Sequence, residues 1–388
     1  MSKPKRRAVE ESAADNLKRE DLPPCRYYLS TGSTLLDLDI SGRYPGGVGS
    51  GRITHMYGDN STAKSVLCTE ILGSAQRQKG SAIYEDAELT LDFGRAEDLF
   101  GLRVGPWRCD DPEQIAEWIK ETMPEGVAHF PEFTYRIPLT VAKLYDDEVN
   151  PALKMIHTGI LPSPCAMGVD TFSAIPSQEE AKEKLDKGTY GTSRAKMYSK
   201  AFRKYIRPIA EADLTIVAVD QTRTKIDAGQ WEKKHVTSGG KAMFFYASTR
   251  IFLKHTAKVF NEFGRAKGVR IDYDIEKNKI APPFGRGFLY VLFDYGVDNV
   301  RANLEWLKNM GKSQEDKKGK TIRPAIPNKV SLNASWWKFE GASLGQGIEP
   351  AIKAIEKEGW ETDLEHEVVR VWTIMNPKPD RKPKHRGT

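Results

Sequence analysis

The chain has 388 residues, of which 39% are hydrophobic and 10% aromatic; this is enough apolar material for a large packed core and excludes wholesale disorder. Its net charge of +6 is a mild excess that, taken alone, is weak evidence for a nucleic-acid partner. No run of about eighteen apolar residues occurs, and the charged N-terminus lacks the apolar region of a secretory signal. The four cysteines are widely spaced, so we expect a cytoplasmic protein with free thiols and no membrane span.

From about residue 51, short apolar runs alternate with helical stretches. Strands are predicted at GRITHMYG, SAIYEDAE, PCAMGVD and LTIVAVDQ, and helices at SVLCTEILGSAQRQ and PEQIAEWIKETM. This order predicts an α/β fold with a mostly parallel, twisted sheet and helices on both faces. Ligands bind such sheets at the carboxyl ends of the strands.

The chain divides into four predicted segments. Residues 1–28 form a short polar N-terminal segment, and residues 29–298 form the core, interrupted by an insertion at 124–160. Residues 299–375 form a small C-terminal module of strands and helices. The basic residues 376–388 show no apolar periodicity and are predicted to be a disordered tail.

The stretch GDNSTAKS, residues 58–65, resembles the phosphate-binding loop G-x-x-x-x-G-K-[ST], with Ala63 in place of the second glycine. In such a loop, backbone N–H groups hold phosphate oxygens, Lys64 reaches the terminal phosphates and the Ser65 hydroxyl binds Mg²⁺. Alanine fits position 63 if the backbone there is helical, whereas a positive φ would strain it. A plain polar turn between strand and helix is the alternative.

Two carboxylates follow predicted strands. Asp170 ends PCAMGVD, where a carboxylate that holds Mg²⁺ is expected, although a helix N-cap would also use aspartate. Glu88 lies just after SAIYEDAE and is a candidate general base for an attacking water. Asp86 and Asp92 flank it, and a solvated acidic turn is the alternative interpretation.

The helix TSRAKMYSKAFRKYIRPI has two distinct faces. Apolar Ala195, Tyr198, Phe202, Tyr205 and Ile209 recur at helical spacing and mark the buried face. Lys196, Lys200, Arg203 and Arg207 form a basic stripe, with no acidic residue between Arg194 and Arg207. Because solvated helices usually mix charges of both signs, this stripe indicates DNA contact at Lys196, Lys200 and Arg203.

Six motifs occur in an order that resembles the RecA family of recombinases, most closely its phage-encoded branch. They are LSTGSTLLDLDISG, GRITHMYGDNSTAKS, IYEDAELTLD, VDQTRTKI, TSGGKAMFFYASTR and EKNKIAPPF. The resemblance runs from about Leu29 to Asp298, and SWWKFEGASLGQG continues it into the family's C-terminal domain. It implies a RecA-type P-loop ATPase core, a small α/β C-terminal domain, and a DNA-dependent ATPase that uses ATP and Mg²⁺.

The resemblance also implies roles for individual residues. Glu88 matches the catalytic glutamate, Gln221 the glutamine that senses the γ-phosphate, and Asp92 the carboxylate near the adenine. Lys277 and Lys279 match lysines that reach the ATP of a neighbouring protomer. The nucleotide would be bound by Gly58, Asp59, Asn60, Ser61, Thr62, Ala63, Lys64, Ser65 and Val66, and the metal by Ser65 and Asp170. Asp220 stands where the family usually has asparagine, which adds a negative charge beside Gln221.

The segment after Gln221 corresponds to the family's second DNA-binding loop. It is polar and contains glycines, and its candidate DNA-binding residues are Arg223, Lys225, Trp231, Gly239 and Gly240. Cations can neutralise phosphates while an aromatic side chain contacts bases. A flexible surface loop with an incidental tryptophan is the alternative.

The resemblance predicts a recombinase that forms helical filaments on single-stranded DNA, pairs them with homologous double-stranded DNA and exchanges strands. Single-strand-binding and mediator proteins are candidate partners, and the bacterial host cytoplasm is the expected location if the protein is phage-encoded. Two alternatives stay open: a RecA-fold accessory or ring-forming DNA motor, and a DNA filament protein that binds ATP with little hydrolysis. Ala63 and Asp220 are the residues that favour the last of these.

Overall fold

A computed structural model of the protein describes residues 24–104, 133–182, 192–224, 235–237, 240–316 and 321–377. The predicted helix PEQIAEWIKETM and most of both predicted terminal segments lie outside these ranges. Among the helices described, none combines the length and the apolar character needed to cross a bilayer.

Strands and helices alternate through the core, as the apolar runs predict. The strands are β1 (Tyr28–Leu29), β2 (Val48–Gly49), β3 (Ile53–Gly58), β4 (Ser81–Asp86), β5 (Phe133–Arg136), β6 (Cys165–Asp170), β7 (Thr215–Thr224), β8 (His235–Thr237), β9 (Thr249–Phe260), β10 (Ala266–Asn278), β11 (Arg286–Leu292), β12 (Gly296–Val297), β13 (Gln314–Glu315), β14 (Thr321–Arg323), β15 (Val330–Asn333), β16 (Trp336–Phe339) and β17 (Ala342–Gln346). The helices are α1 (Thr34–Ser41), α2 (Lys64–Arg77), α3 (Phe93–Phe100), α4 (Val141–Lys143), α5 (Asn150–His157), α6 (Gln178–Lys182), α7 (Thr192–Glu211), α8 (Gly240–Tyr246), α9 (Asn299–Met310), α10 (Ile348–Glu358) and α11 (Glu361–Met375), with a π-helical segment (Leu144–Val149) joining α4 to α5.

A large sheet in the order β12-β11-β10-β9-β3-β7-β6-β4-β5 forms the centre of the molecule. The strands from β9 to β5 in this order pair in parallel, and β10, β11 and β12 extend the sheet with antiparallel pairs. The predicted α/β class with a mostly parallel sheet is therefore confirmed. Because β3, β4, β6 and β7 run in one direction, the residues after each of them lie at the same edge of the sheet.

Alternating side chains of the strands pack on two opposite faces of this sheet. On one face, Val217 and Val219 of β7 pack in a core with α2 residues such as Leu67 and Ile71. On the other face, Ile216 and Ala218 pack with α7. The period of two along each strand therefore places helices on both faces, as predicted.

The segment 133–160, which lies within the predicted insertion, is part of the second core. β5 pairs in parallel with β4 at the edge of the sheet. Leu144, Tyr145 and Leu153 of the helical stretch that follows are buried with α7 side chains such as Phe202. These residues therefore extend the central fold instead of projecting from it.

A third core holds the C-terminal part of the chain. It joins α9, α10 and α11 with the small antiparallel sheet β15-β16-β17, and Leu35 and Leu38 of α1 pack into it. The Trp372 indole donates a hydrogen bond to Asp39, whose carboxylate also accepts from Tyr273 of β10. The C-terminal helices are thus packed and hydrogen-bonded to the central fold.

Candidate nucleotide site and nucleic-acid interface

The loop between β3 and α2 leaves the sheet at its carboxyl edge. Ala63 precedes α2 in the left-handed conformation, with φ 59° and ψ 24°, and Ser61 has a φ of 59°. A side chain on Gly58 would lie 2.1 Å from the carbonyl oxygen of Leu253, so only glycine fits there. Position 63 therefore has the strained geometry, at which glycine would be favoured over alanine.

Lys64 folds back over this loop. Its ammonium donates to the carbonyl oxygens of Gly58 at 3.1 Å and Asp59 at 2.7 Å, and to the Thr62 hydroxyl at 3.2 Å. Burial lowers the pKa of Lys64, and the charges of Asp170 and Glu88 act in the opposite direction. The lysine thus lies at the start of α2, where anions bind favourably, with two carboxylates near it.

Asp170 lies at the end of β6 and is 1% exposed. Tyr84 donates to Oδ2 of Asp170 at 3.0 Å, and the Ser65 hydroxyl forms a second hydrogen bond to the same carboxyl group. Burial raises the pKa of Asp170 despite these two bonds. A carboxylate and a hydroxyl at the mouth of a phosphate-binding loop are hard oxygen ligands, which fit Mg²⁺ bound jointly with phosphate groups.

Glu88 lies on a turn that Asp86 holds in place. The Asp86 carboxylate accepts hydrogen bonds from the backbone N–H groups of Glu88, Thr90 and Leu91 at 2.9–3.2 Å. It also accepts from the Tyr135 hydroxyl at 3.2 Å. Asp86 is fully buried, so its role is structural, and the turn presents Glu88 at the edge of the sheet.

The structure brings Glu88 and Gln221 into contact. Oε1 of Glu88 accepts from Nε2 of Gln221 at 3.0 Å and from the Thr171 hydroxyl at 3.0 Å. Glu88 and Thr171 follow β4 and β6, and Gln221 lies in the second half of β7, so three adjacent strands contribute to one cluster. Gln221 also pairs in register with Gly58, which places the cluster beside the loop that carries Lys64.

A cleft of about 270 Å³ lies beside the first turns of α2. Ser65, Val66 and Thr69 line one side, and Asp92 and Arg95 line another. Oδ1 of Asp92 caps α3 by accepting from the backbone N–H of Arg95 at 3.0 Å. Asp92 is therefore a helix N-cap, a role that the sequence interpretation did not give it, and it also borders a cleft large enough for part of a nucleotide.

The Asp220 side chain faces away from Glu88. It is fully buried, and its Oδ2 atom lies 3.0 Å from Nε2 of His55 on the adjacent strand β3. Like Ala218 and Ile216 on the same strand, it projects towards the face covered by α7. Its negative charge is therefore directed into the protein interior and away from the Gln221–Glu88 contact.

Lys277 and Lys279 lie far from Glu88 in the same protomer. Five strand spacings separate β10 from β4, a distance of about 24 Å, which is beyond the reach of a lysine side chain. The Lys277 ammonium donates to the carbonyl oxygens of Phe244 at 2.7 Å and Phe245 at 2.8 Å, at the end of α8. Burial lowers the pKa of Lys277 to about 8, helped by the charges of Lys279 and Arg250.

The basic stripe of α7 faces solvent, opposite buried Tyr198, Phe202, Tyr205 and Ile209. Arg207 pairs with Glu211 at 2.7 Å, and the neighbouring Lys204 pairs with Asp146 at 2.9 Å. Lys196, Lys200 and Arg203 form no ion pair with a carboxylate in the described parts of the chain. These three cations are therefore the stripe residues most available to an anionic ligand.

The remaining predicted DNA contacts are only partly described. Lys225, Trp231 and Gly239 lie outside the described residues. The backbone of Arg223 continues β7, and Gly240 begins α8.

Sequence reasoning missed three residues that shape the site. Tyr84 contacts Asp170, Tyr135 contacts Asp86, and the Thr222 hydroxyl donates to the Asp59 carboxylate. Thr222 follows Gln221 directly, so its place in the sequence indicated that it lies near the phosphate-binding loop. Nothing in the sequence indicated the contact of Tyr135 with Asp86, because the strand of Tyr135 is distant in sequence from the turn that it contacts.

Comparison with known proteins identifies relatives that align with most of the chain. The model of the RecA N-terminal domain family matches residues 24–114 and 147–298. The chain is 28% identical over 345 residues to Protein RecA of a Nitratiruptor species, covering 88% of this chain and 83% of that protein. It is 26% identical over 359 residues to Protein RecA 2 of Myxococcus xanthus, covering 91% and 84%. Because the family model matches more than half of its 388 residues, this protein belongs to the RecA family.

Proposed function

We propose that this protein is an ATP-dependent recombinase that forms helical filaments on single-stranded DNA and exchanges strands with a homologous duplex. The observation that carries the proposal is the cluster at the carboxyl edge of the sheet. There, Glu88, Gln221 and Thr171 share hydrogen bonds beside the Lys64 loop and Asp170. Family membership gives the general recombinase role, and this cluster supports hydrolysis by this chain.

Each residue of the cluster has a separate role in phosphoryl transfer. The loop amides and Lys64 bind the phosphates, and Ser65 and Asp170 hold Mg²⁺, which when bound neutralises charge on the phosphate oxygens. Glu88 accepts a proton from the attacking water. Gln221 and Thr171 orient the Glu88 carboxylate, since both donate to one of its oxygens at 3.0 Å.

Lys277 and Lys279 act on the ATP of a neighbouring protomer. Within one protomer they lie about 24 Å from the strand that precedes Glu88, and the Lys277 ammonium is bound to the carbonyl oxygens of Phe244 and Phe245 instead of to the Lys64 loop. A cation supplied in trans stabilises the charge on the transferring phosphoryl group. Hydrolysis would then require assembly, as expected of a filament.

Single-stranded DNA binds to the cations of α7 and to the loop after β7. Lys196, Lys200 and Arg203 are exposed on one helix face, and this arrangement suits contact with successive phosphates. Arg223, Lys225, Trp231, Gly239 and Gly240 would add contacts from the second loop.

The protein is proposed to belong to the phage-encoded branch and to act in the bacterial host cytoplasm, with single-strand-binding and mediator proteins as partners. The support is the motif pattern, in particular the departure at Ala63 from the loop's second glycine.

Strand exchange between a circular single strand and a homologous linear duplex tests this function. The wild type should convert the DNA with ATP and Mg²⁺, whereas Lys64→Ala and Glu88→Gln should not. Glu262→Gln, at an exposed position of the β9–β10 connection, is the matched control and should behave as wild type. Equal behaviour of all four proteins would refute the mechanism.

A further inference from the structure

Four ionisable side chains form a buried charge row across the central sheet. Asp220, His55, Arg250 and Glu276 come from the adjacent strands β7, β3, β9 and β10. Asp220 and His55 are fully buried, and Arg250 is 6% exposed. Because an unpaired charge in a protein interior is strongly destabilising, each member must stay paired with the next.

The hydrogen bonds of the row determine the tautomer of His55. Nε of Arg250 donates to Nδ1 of His55 at 3.2 Å, and Nη1 of Arg250 lies 3.5 Å from Oε2 of Glu276. Arginine has no acceptor atom, so Nδ1 of His55 must be unprotonated. The ring therefore carries its proton on Nε2 and donates it to Asp220 at 3.0 Å. Burial lowers the pKa of His55, which agrees with a neutral ring.

One end of the row adjoins the nucleotide site. Asp220 directly precedes Gln221, whose amide contacts Glu88 at 3.0 Å. Asp220 and Gln221 share a peptide unit on β7, so a shift of the Gln221 main chain also displaces Asp220. A hydrogen bond of 3.0 Å is lost when its atoms separate by about 0.6 Å more, so the bond survives a displacement of Asp220 only if His55 moves with it.

The other end adjoins α8 and Lys277. The Arg250 guanidinium lies 5.0 Å from the centre of the Phe244 ring, over its face, and 4.5 Å from that of Tyr57. Glu276 directly precedes Lys277, which donates to the carbonyls of Phe244 and Phe245. Arg250 therefore contacts both the strand that carries Lys277 and the helix that follows the predicted DNA loop.

We propose that His55 is a positioning residue that couples Gln221 to α8 and Lys277 through the buried charge row. The inference rests on the proposed function and names the residues through which nucleotide binding would affect DNA binding. His55 is the only bridge in the row between Asp220 and Arg250 among the described residues, and one tautomer donates to Oδ2 of Asp220 and accepts from Nε of Arg250. The row therefore links the occupancy of the nucleotide site to α8, which follows the predicted DNA loop, and to Lys277, which is proposed to act on the ATP of a neighbouring protomer.

The test measures how much nucleotide tightens DNA binding, with hydrolysis absent. Anisotropy of a labelled oligo(dT) is recorded with and without ATPγS and Mg²⁺, and ATPγS binding is measured separately without DNA. The variants are the double change His55→Leu with Asp220→Asn, which leaves no orphaned carboxylate, and Glu276→Gln at the end of the row, where the side chain is 22% exposed. Two variants are controls. His55→Gln keeps one donor and one acceptor at position 55, and Asp272→Asn removes a carboxylate of β10 that is not part of the row.

We expect the double variant to lose about tenfold or more of the nucleotide-dependent gain in DNA affinity, and Glu276→Gln to lose a smaller part. ATPγS affinity without DNA should stay near the wild-type value, because the hydrogen bonds that join the row involve no residue of the Lys64 loop. His55→Gln and Asp272→Asn should retain the gain. If the double variant and Glu276→Gln keep the full gain, or lose nucleotide and DNA affinity alike, the inference is overturned. A wild-type protein with no gain would instead refute the proposed function, and the inference with it.

Discussion

Replacing Ala63 with glycine should stabilise the protein. Ala63 has a φ of 59° and a ψ of 24° and lies just before α2. In this conformation the Cβ atom of an L-residue crowds the following carbonyl, whereas glycine has no Cβ. Most alanine-to-glycine changes destabilise a protein, so the predicted sign is unusual.

The size of the effect follows from two opposing contributions. The left-handed conformation costs an L-residue about 1–2 kcal/mol. Glycine makes the unfolded chain more flexible, which offsets about 0.4–1 kcal/mol of that gain. With the midpoints of these ranges, about 1.5 and 0.7 kcal/mol, Ala63→Gly should raise the free energy of unfolding by about 0.8 kcal/mol.

Urea denaturation without nucleotide measures this difference, since nucleotide binding would add its own stabilisation. Ala257→Gly is the matched control: Ala257 is exposed on β9 and lacks a positive φ, so glycine there should destabilise by about 0.5–1 kcal/mol. If Ala63→Gly were as destabilising as Ala257→Gly, the strain assigned to position 63 would be refuted.

Three further predictions concern charge. Triple replacement of Lys196, Lys200 and Arg203 by alanine should weaken oligo(dT) binding. The slope of log K against log salt concentration should become shallower by about 0.7 per lost phosphate contact. Lys204→Ala should change this slope less, because Lys204 is already paired with Asp146. Burial raises the pKa of Glu85 to about 8, so the wild type should lose stability relative to Glu85→Gln as pH rises from 5 to 8, by at most about 1.4 kcal/mol per pH unit, in urea denaturation. Equal mixtures of Lys64→Ala and Lys277→Ala should regain about a quarter of wild-type ATPase activity, because one interface in four then combines both lysines.

Each of these has an outcome that contradicts it. An unchanged salt dependence in the triple variant would remove α7 from the DNA site. A difference between wild type and Glu85→Gln that does not vary with pH would mean that Glu85 is ionised in the folded protein. A mixture as inactive as its components would place Lys277 in the same protomer's site.

The sequence predicted those features whose position in space follows directly from a local sequence pattern. Strand ends in a parallel sheet meet at one edge, so the order of strands along the chain was enough to place Glu88, Asp170 and Gln221 near each other. The buried face of α7 followed from its helical period, and Tyr198, Phe202, Tyr205 and Ile209 are buried.

Contacts between residues distant in sequence could not be predicted in this way. The orientation of Asp220 depends on His55, 165 residues away, and sequence reasoning placed its charge beside Gln221 instead. The backbone conformation of Ala63 was also open, because alanine is compatible with a helical φ and the residue type gives no sign of the positive value.

Tyr135 connects the nucleotide site to a part of the chain that the family model does not match. It lies between the matched ranges 24–114 and 147–298, on β5. Its hydroxyl donates to Asp86, which holds the turn of Glu88, and its ring packs edge-on against Phe93, next to Asp92, with centres 5.0 Å apart. A segment that the family model leaves unmatched thus supports the turn that carries Glu88. A chimaera that replaces that segment would leave Asp86 with its three backbone N–H donors alone, so the turn of Glu88 would be held by one hydrogen bond fewer.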